Sequence, residues 1–314
     1  MLEGAGILTI EGGNILAGPG EDAAIIKVTE NLALVQTTDF FTPIVDDPYI
    51  QGKISACNSL SDAYAKGAIN IAGVLAIIGF PTTFPIEIGQ EILKGIKDLC
   101  QEVGTTIVGG HTVINPWPII GAVVTAVMPL NQIVYNSRAK PGDRLILTKP
   151  LGTQSAMAAH RVLGTEFEEE VTKALSKDII QKAIEKAIQF MITPNKSAAE
   201  VMVKIGVNAA TDITGFGILG HGGEMARRSK VDMEIHTLPV IKGTIELSKL
   251  FHHKLAEGAG AETSGGLLIS VSEVKKEALR KELKRRNIPA YEIGQVKVGD
   301  GKIFLQRGFK ILEV

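Results

Sequence analysis

Cysteine is scarce in this chain of 314 residues: only Cys57 and Cys100 occur, and both fall inside helical patterns. That scarcity excludes a disulfide framework and a cysteine-based zinc site, and it suits a reducing compartment. Neither charge sign is in excess. A formal net charge of −1 gives no electrostatic reason for nucleic acid or an anionic membrane as partner. Long apolar runs are missing too, since the longest, 71–80 and 119–128, fall far short of the roughly 20 residues that span a bilayer. Residues 1–10 have no basic flank ahead of their apolar residues, which is not the pattern of a secretory signal. These absences together predict a cytoplasmic protein. No GxxxxGK[ST] phosphate loop is present, so a nucleotide enzyme built on this chain would have to hold its triphosphate mainly through metal ions.

What the chain does carry is a stretch of small and acidic residues over 37–67. Residues 34–38 are β-branched and partly alternating, hence a strand, and Asp39 stands at its end. A proline-containing loop over 42–48 adds Asp46 and Asp47. The helix that follows places Ser55, Asn58 and Asp62 three and four apart on one face, with Ile54, Cys57, Leu60 and Tyr64 on a core-facing side. No basic residue stands beside these polar groups until Lys66. Uncompensated carboxylates suit a hard cation such as Mg²⁺, which commonly bridges protein carboxylate to phosphate. The same spacing also fits Asp39 as a turn cap and Asp62 as a solvated helix acid. Lys66 reads either as the i,i+4 partner of Asp62 or as a cation placed near phosphate.

The length exceeds one ordinary core, and 45% hydrophobic with 21% charged residues is a globular composition. Residues 1–20 are glycine-rich and predict a mobile backbone rather than a packed element. Composition turns polar and turn-like at Lys140-Pro141-Gly142-Asp143, which divides the rest into an N-terminal domain, 21–143, and a C-terminal domain, 144–314. Strands mixed with helices in both halves predict two α/β domains of the α+β type. Residues 105–108 predict a strand running into a glycine loop, Gly109-Gly110-His111-Thr112. One amphipathic helix is predicted over 168–191. A strand over 207–211 ends in Asp212 and leads into Thr214-Gly215-Phe216-Gly217, a second loop whose backbone N–H groups suit phosphate. The strand over 119–128 is apolar on both faces, so its edge must be covered or paired, which predicts a homodimer. Residues 275–286 form a basic solvated helix face. Cys57 and Cys100 read as small core residues and His221 as a packing residue. His252 and His253, being adjacent, cannot share a helix face as ligands. Trp117, between two prolines, reads as a cleft or dimer plug or as a packing residue.

The motifs TTDFFTPIVDDP, ACNSLSDAYAKG, VGGHT, LTKPLG, ATDITGFGILGH and TSGGLL stand in the order and approximate spacing of the selenophosphate synthetases (selenide, water dikinases), and the chain resembles that family from about Gly18 onward. The family shares a superfamily with aminoimidazole ribonucleotide synthetase. The resemblance implies a homodimer of two-domain subunits whose N-terminal domains close a β-barrel, with the ATP site in the cleft of the 21–143 domain. It implies conversion of ATP, selenide and water into selenophosphate, AMP and phosphate with Mg²⁺. Position by position it implies Asp22, Asp62 and Asp212 as metal ligands and Asp39 as an ATP contact. Asp39 and Asp62 would be the groups nearest the chemistry. Pro19, Gly20 and Glu21 fall where the chain meets nucleotide, Asn58 where it can orient Asp62, and Gly110, His111 and Thr112 in a nucleotide-contacting loop that crosses the dimer. Several clustered carboxylates suit phosphoryl transfer, which needs charge neutralisation and alignment more than covalent help.

The departures from the family pattern are specific. The family's glycine-rich start carries a cysteine or selenocysteine and a lysine, whereas the residues given before Asp22 contain neither. Pro116-Trp117-Pro118 puts tryptophan where the family has an acid, and Gly260-Ala261-Glu262 replaces its Asp-Pro-Gln. Against the family pattern these departures predict a chain that binds ATP, hydrolyses it slowly and makes little selenophosphate. They leave two other readings open: an ATP-using enzyme acting on another small nucleophile, and a nucleotide-binding regulator without turnover.

Overall fold

The computed structural model describes residues 4–5 and 12–314. Period-two patterning builds the first sheet. Strand β1 (Ile15–Ala17), β2 (Ala24–Lys27) and β3 (Leu32–Phe41) make an antiparallel meander. Helix α1 (Pro48–Ala65), β4 (Ile71–Phe80), helix α2 (Ile86–Glu102), β5 (Ile107–Ile114) and β6 (Ile119–Pro129) follow, and the strands order as β1-β2-β3-β6-β4-β5. Only the β4–β5 pair, joined through α2, is parallel.

Helix α1 starts where the side chain of Asp47 accepts from Ile50 N at 3.0 Å, with Pro48 in the first turn, where its missing N–H costs nothing. It then buries almost every side. Ile54, Cys57, Leu60 and Tyr64 are all in the core, as their spacing predicts. Glycines let α2 cross close to it: a Cβ on Gly52 would lie 2.1 Å from the Ile92 carbonyl oxygen, and one on Gly95 2.1 Å from that of Tyr49.

The second half runs β7 (Arg144–Leu147), α3 (Thr153–Val162), α4 (Glu168–Ala174), α5 (Lys177–Met191), α6 (Lys196–Ile205), β8 (Ala209–Asp212), α7 (Gly217–Ser229), β9 (Val231–Val240), α8 (Thr244–Phe251), β10 (Leu267–Val271), α9 (Glu273–Arg285), β11 (Tyr291–Val298) and β12 (Ile303–Glu313). Its sheet orders as β12-β9-β11-β7-β10-β8, with β12–β9 the parallel pair. One apolar core is continuous from β2 and β3 through α1 to Ala210 of β8 and Leu267 of β10. That continuity brings the end of β8 against the polar face of α1.

Several sequence expectations are corrected here. The helix expected over 168–191 is two helices, because Ser176 leaves the helical conformation and caps α5 through Ile179 N. Residues 109–112 are not a loop but the middle of β5, paired with β4 residue by residue. A Cβ on Gly110 would sit 2.1 Å from the Ala76 carbonyl oxygen, so the glycine serves close strand approach. Part of the glycine-rich start is ordered as β1, with Ala17 buried; residues 1–3 and 6–11 lie outside the described residues. Strand β6 has no free edge, since β3 and β4 pair with both its sides. No helix among the described residues is long and apolar enough to cross a membrane.

Candidate active site

Three of the predicted acids line one cleft of about 640 Å³: Asp22 from the turn before β2, Asp39 near the end of β3, and Asp62 from α1. Asp212, at the end of β8, is buried beside them, its charge acting on Asp62. One ligating atom from each of Asp22, Asp212 and His221 falls within 4.8 Å of the others.

Each carboxylate is held by a different neighbour. Asp62 accepts from the Thr37 hydroxyl at 2.5 Å, Asp22 Oδ1 from the Thr211 hydroxyl at 2.6 Å, and Asp39 from Asn58 Nδ2 at 2.7 Å. Asn58 was expected to orient Asp62; it orients Asp39 instead. Its own carbonyl oxygen accepts from Ser264 N at 2.8 Å, tying the turn before β10 to the β3 acid. Both oxygens of Asp212 are buried without a hydrogen bond, the Ser61 hydroxyl nearby falling short of bonding geometry. Burial, then the charge of Asp22, raises the Asp212 carboxyl to about 7. Burial first, and the charges of Asp212, Asp22 and Asp39 after it, hold Asp62 well above the usual carboxylate range. Burial also raises Asp39, with the Asn58 bond pulling the other way. A buried carboxylate with orphaned oxygens beside other acids suits a cation. The donor set is oxygen-rich, as Mg²⁺ requires, so the residues fit that ion.

Lys66 is not the i,i+4 partner of Asp62. It is fully buried, with Nζ 2.8 Å from Glu21 Oε2 and 2.7 Å from Asp22 Oδ2. Glu21 also accepts from Asn136 N at 3.2 Å and faces Arg228 at 3.7 Å. Its Oε2 is thus held by Lys66 and Asn136, while the residue lines the cleft beside Asp22. Asn136 Nδ2 donates to the Gly20 carbonyl at 2.8 Å and Arg228 to that of Pro19 at 3.3 Å, which tethers the turn that carries Asp22.

Gly110, His111 and Thr112 do not join the cluster within one chain. They lie on β5, the edge strand farthest from β1. His221, read as packing, lines the cleft: its Nε2 accepts from Phe216 N at 3.4 Å and lies 3.0 Å from the Thr214 hydroxyl, fixing the turn before α7. Burial depresses its pKa and favours the neutral ring. The sequence signal passed over is Gly215 to Gly220, which has the G-x-G-x-x-G spacing between a strand and a helix. Here the strand is antiparallel to its neighbour, so the unit is not a dinucleotide fold. The glycines nonetheless bring the N-terminal turn of α7 to the cleft wall, but its N–H groups are largely engaged. Gly217 N donates to the Thr214 carbonyl, Leu219 N to that of Gly258 and Gly220 N to that of Phe216, so the expected phosphate cradle is not open.

Glu262, in the departure from the family pattern, is a buried cap. Its carboxylate accepts from Gly152 N at 2.6 Å, from Thr153 N at 2.8 Å and from the Thr153 hydroxyl, all at the start of α3. Burial raises it to about 7 despite those bonds. A carboxyl whose folded pKa exceeds its unfolded value stabilises fully below the unfolded pKa, and that contribution is lost as pH rises towards the folded one. Between about pH 4.5 and 7 the wild type should lose up to roughly 3 kcal/mol through this group. Glu262→Gln should flatten that slope in urea unfolding across the same range; an unchanged slope would show that Glu262 does not titrate there.

Comparison with known proteins places these features. Residues 20–128 match the family described as AIR synthase related protein, N-terminal domain, and residues 140–306 its C-terminal domain. The selenide, water dikinase of Methanocaldococcus jannaschii is 51% identical over 309 residues, covering 96% of this chain and 87% of that protein. That of Methanococcus maripaludis is 48% identical over 305 residues, covering 95% and 90%. Among solved structures, AaThiL complexed with AMPPCP and TMP superposes with a TM-score of 0.73 at 21% identity, covering 98% of this chain and 93% of that one, a likeness of fold.

Proposed function

The chain belongs to the selenide, water dikinase family of the AIR synthase related proteins, and on that premise we propose that it converts ATP, selenide and water into selenophosphate, AMP and phosphate at the Asp22–Asp39–Asp62–Asp212 cluster. The observation that carries the reading is Asp212, a buried carboxylate with no hydrogen bond among other acids. Asp22, Asp62 and Asp212 would hold Mg²⁺. When bound, such ions neutralise the polyphosphate and align it for in-line transfer. The chain's own groups prepare that step. Thr37 and Thr211 fix carboxylate orientations, and Asn58 locks Asp39 to the 264 turn.

Neither thiol suits the role of selenium carrier. Burial raises both, Cys100 to about 11, so neither is a ready thiolate. We further propose a homodimer, in which β5 brings Gly110, His111 and Thr112 towards the partner's cleft, and a cytoplasmic location.

Phosphorus NMR of the protein with Mg²⁺ and ATP, with and without selenide, tests the reading. The expected result is AMP formation that depends on selenide, together with a selenophosphate resonance. ATP consumption indifferent to selenide would mean a different acceptor, and ATP binding without turnover would mean a regulator.

A further inference from the structure

We propose that Lys66 is a resident cation of the acidic cluster: its fixed charge, held against Asp22, sets how tightly the cluster holds a divalent ion. The inference rests on the metal-binding reading above and adds a determinant to it. A lysine is almost never fully buried unless it is paired, and Lys66 is fully buried. Its ammonium donates to Glu21 Oε2 at 2.8 Å and to the Ala210 carbonyl oxygen at 3.2 Å, and it stands 2.7 Å from Asp22 Oδ2 as an ion pair. Glu21 has other company, Asn136 N and the Arg228 guanidinium. Asp22 has no second cation among the described residues, so the lysine's charge bears chiefly on it.

The consequence for ligation is electrostatic. Asp22 Oδ2 stands 2.7 Å from the ammonium as an ion pair, while Oδ1 accepts from the Thr211 hydroxyl. Asp39, Asp62 and Asp212 have no cation of their own among the described ion pairs. Lys66 therefore offsets part of the cluster's charge at one corner, and a divalent ion bound beside Asp22 feels a fixed positive neighbour.

Two substitutions should move metal affinity in opposite directions, which a packing role would not do. Lys66→Met removes the fixed charge and keeps much of the volume. It should lower the metal-free melting temperature, raise Mn²⁺ affinity at least about tenfold, and enlarge the Mn²⁺-induced rise in melting temperature. Glu21→Gln keeps the lysine but leaves its charge less compensated, so Mn²⁺ affinity should fall several-fold. Free Mn²⁺ measured by electron paramagnetic resonance on the full chain, without nucleotide, reads both. Mn²⁺ binding in Lys66→Met that equals or falls below wild type overturns the proposal. If that variant does not fold, Glu21→Gln decides, and binding equal to or tighter than wild type overturns it. Wild-type protein that binds neither Mn²⁺ nor ATP with Mg²⁺ would overturn the metal-site reading itself, whereas normal wild-type binding with both variants unchanged overturns only the role of Lys66.

Discussion

Asp212→Asn should melt at a higher temperature than the wild type in the absence of metal, and should lose most of the stabilisation that Mg²⁺ with ATP gives. The two effects have one cause. Burial holds the Asp212 carboxyl at about 7, so folding at higher pH confines a charge without a partner. The folded state binds the proton more tightly than the unfolded state, so stability falls as pH rises from about 4 to 7 and is flat above. At pH 8 the asparagine should recover a few kcal/mol, less whatever its own buried amide fails to satisfy. The same carboxylate is the group a divalent ion would neutralise. Ligand at about 100 times its Kd stabilises by roughly 2.7 kcal/mol, and most of that shift should vanish in the variant. Selenide-dependent AMP formation should fall by on the order of a hundredfold or more. Thermal denaturation at pH 8, with and without Mg²⁺ and ATP, reads the first two effects and phosphorus NMR the third. An undiminished ligand shift in Asp212→Asn would place the nucleotide site elsewhere.

The polar face of α1 was legible because helical period alone puts Asn58 and Asp62 together, and the acid at the end of a predicted strand marked both Asp39 and Asp212. The partners of those residues were not legible. Lys66 meets Glu21 and Asp22, which lie more than 40 residues earlier in the chain, and Asn58 meets Ser264 across the two halves. No local pattern encodes such pairings, since they follow from how the sheets dock on α1. Glycine misled at 109–110, where it permits close strand approach, because the same residue type also marks loops. The break at Leu175-Ser176 carried a readable cap signal within an otherwise continuous amphipathic pattern. The family motifs supplied roles, but not the buried pairing of Glu21 with Lys66.

The protein should scatter light as a dimer at micromolar concentration, and Leu75→Glu combined with Val127→Glu should make it a monomer. The seam would lie on the face of the first sheet turned away from α1. On β3 the odd residues 33 and 35 are buried while the even ones point out, ending in Phe40 at 53% exposure. On β6 residues 120, 122, 124 and 126 are buried, and their neighbours face out up to Val127 at 43%. Leu75 continues the patch on β4, in register with Val123, and His111 stands beside Ile77 on β5. A sheet packed by helices on one face normally buries its other apolar face as well, and a second copy would do so here. Two ionised side chains forced into such a seam cost several kcal/mol unless paired, enough to weaken association at least about a thousandfold. Turnover should fall with dimerisation, because His111 and its neighbours would no longer reach a second cleft. A monomeric wild type would remove both the dimer and the cross-subunit role of Gly110, His111 and Thr112. A double variant that stays dimeric would move the seam to another surface and leave His111 facing solvent.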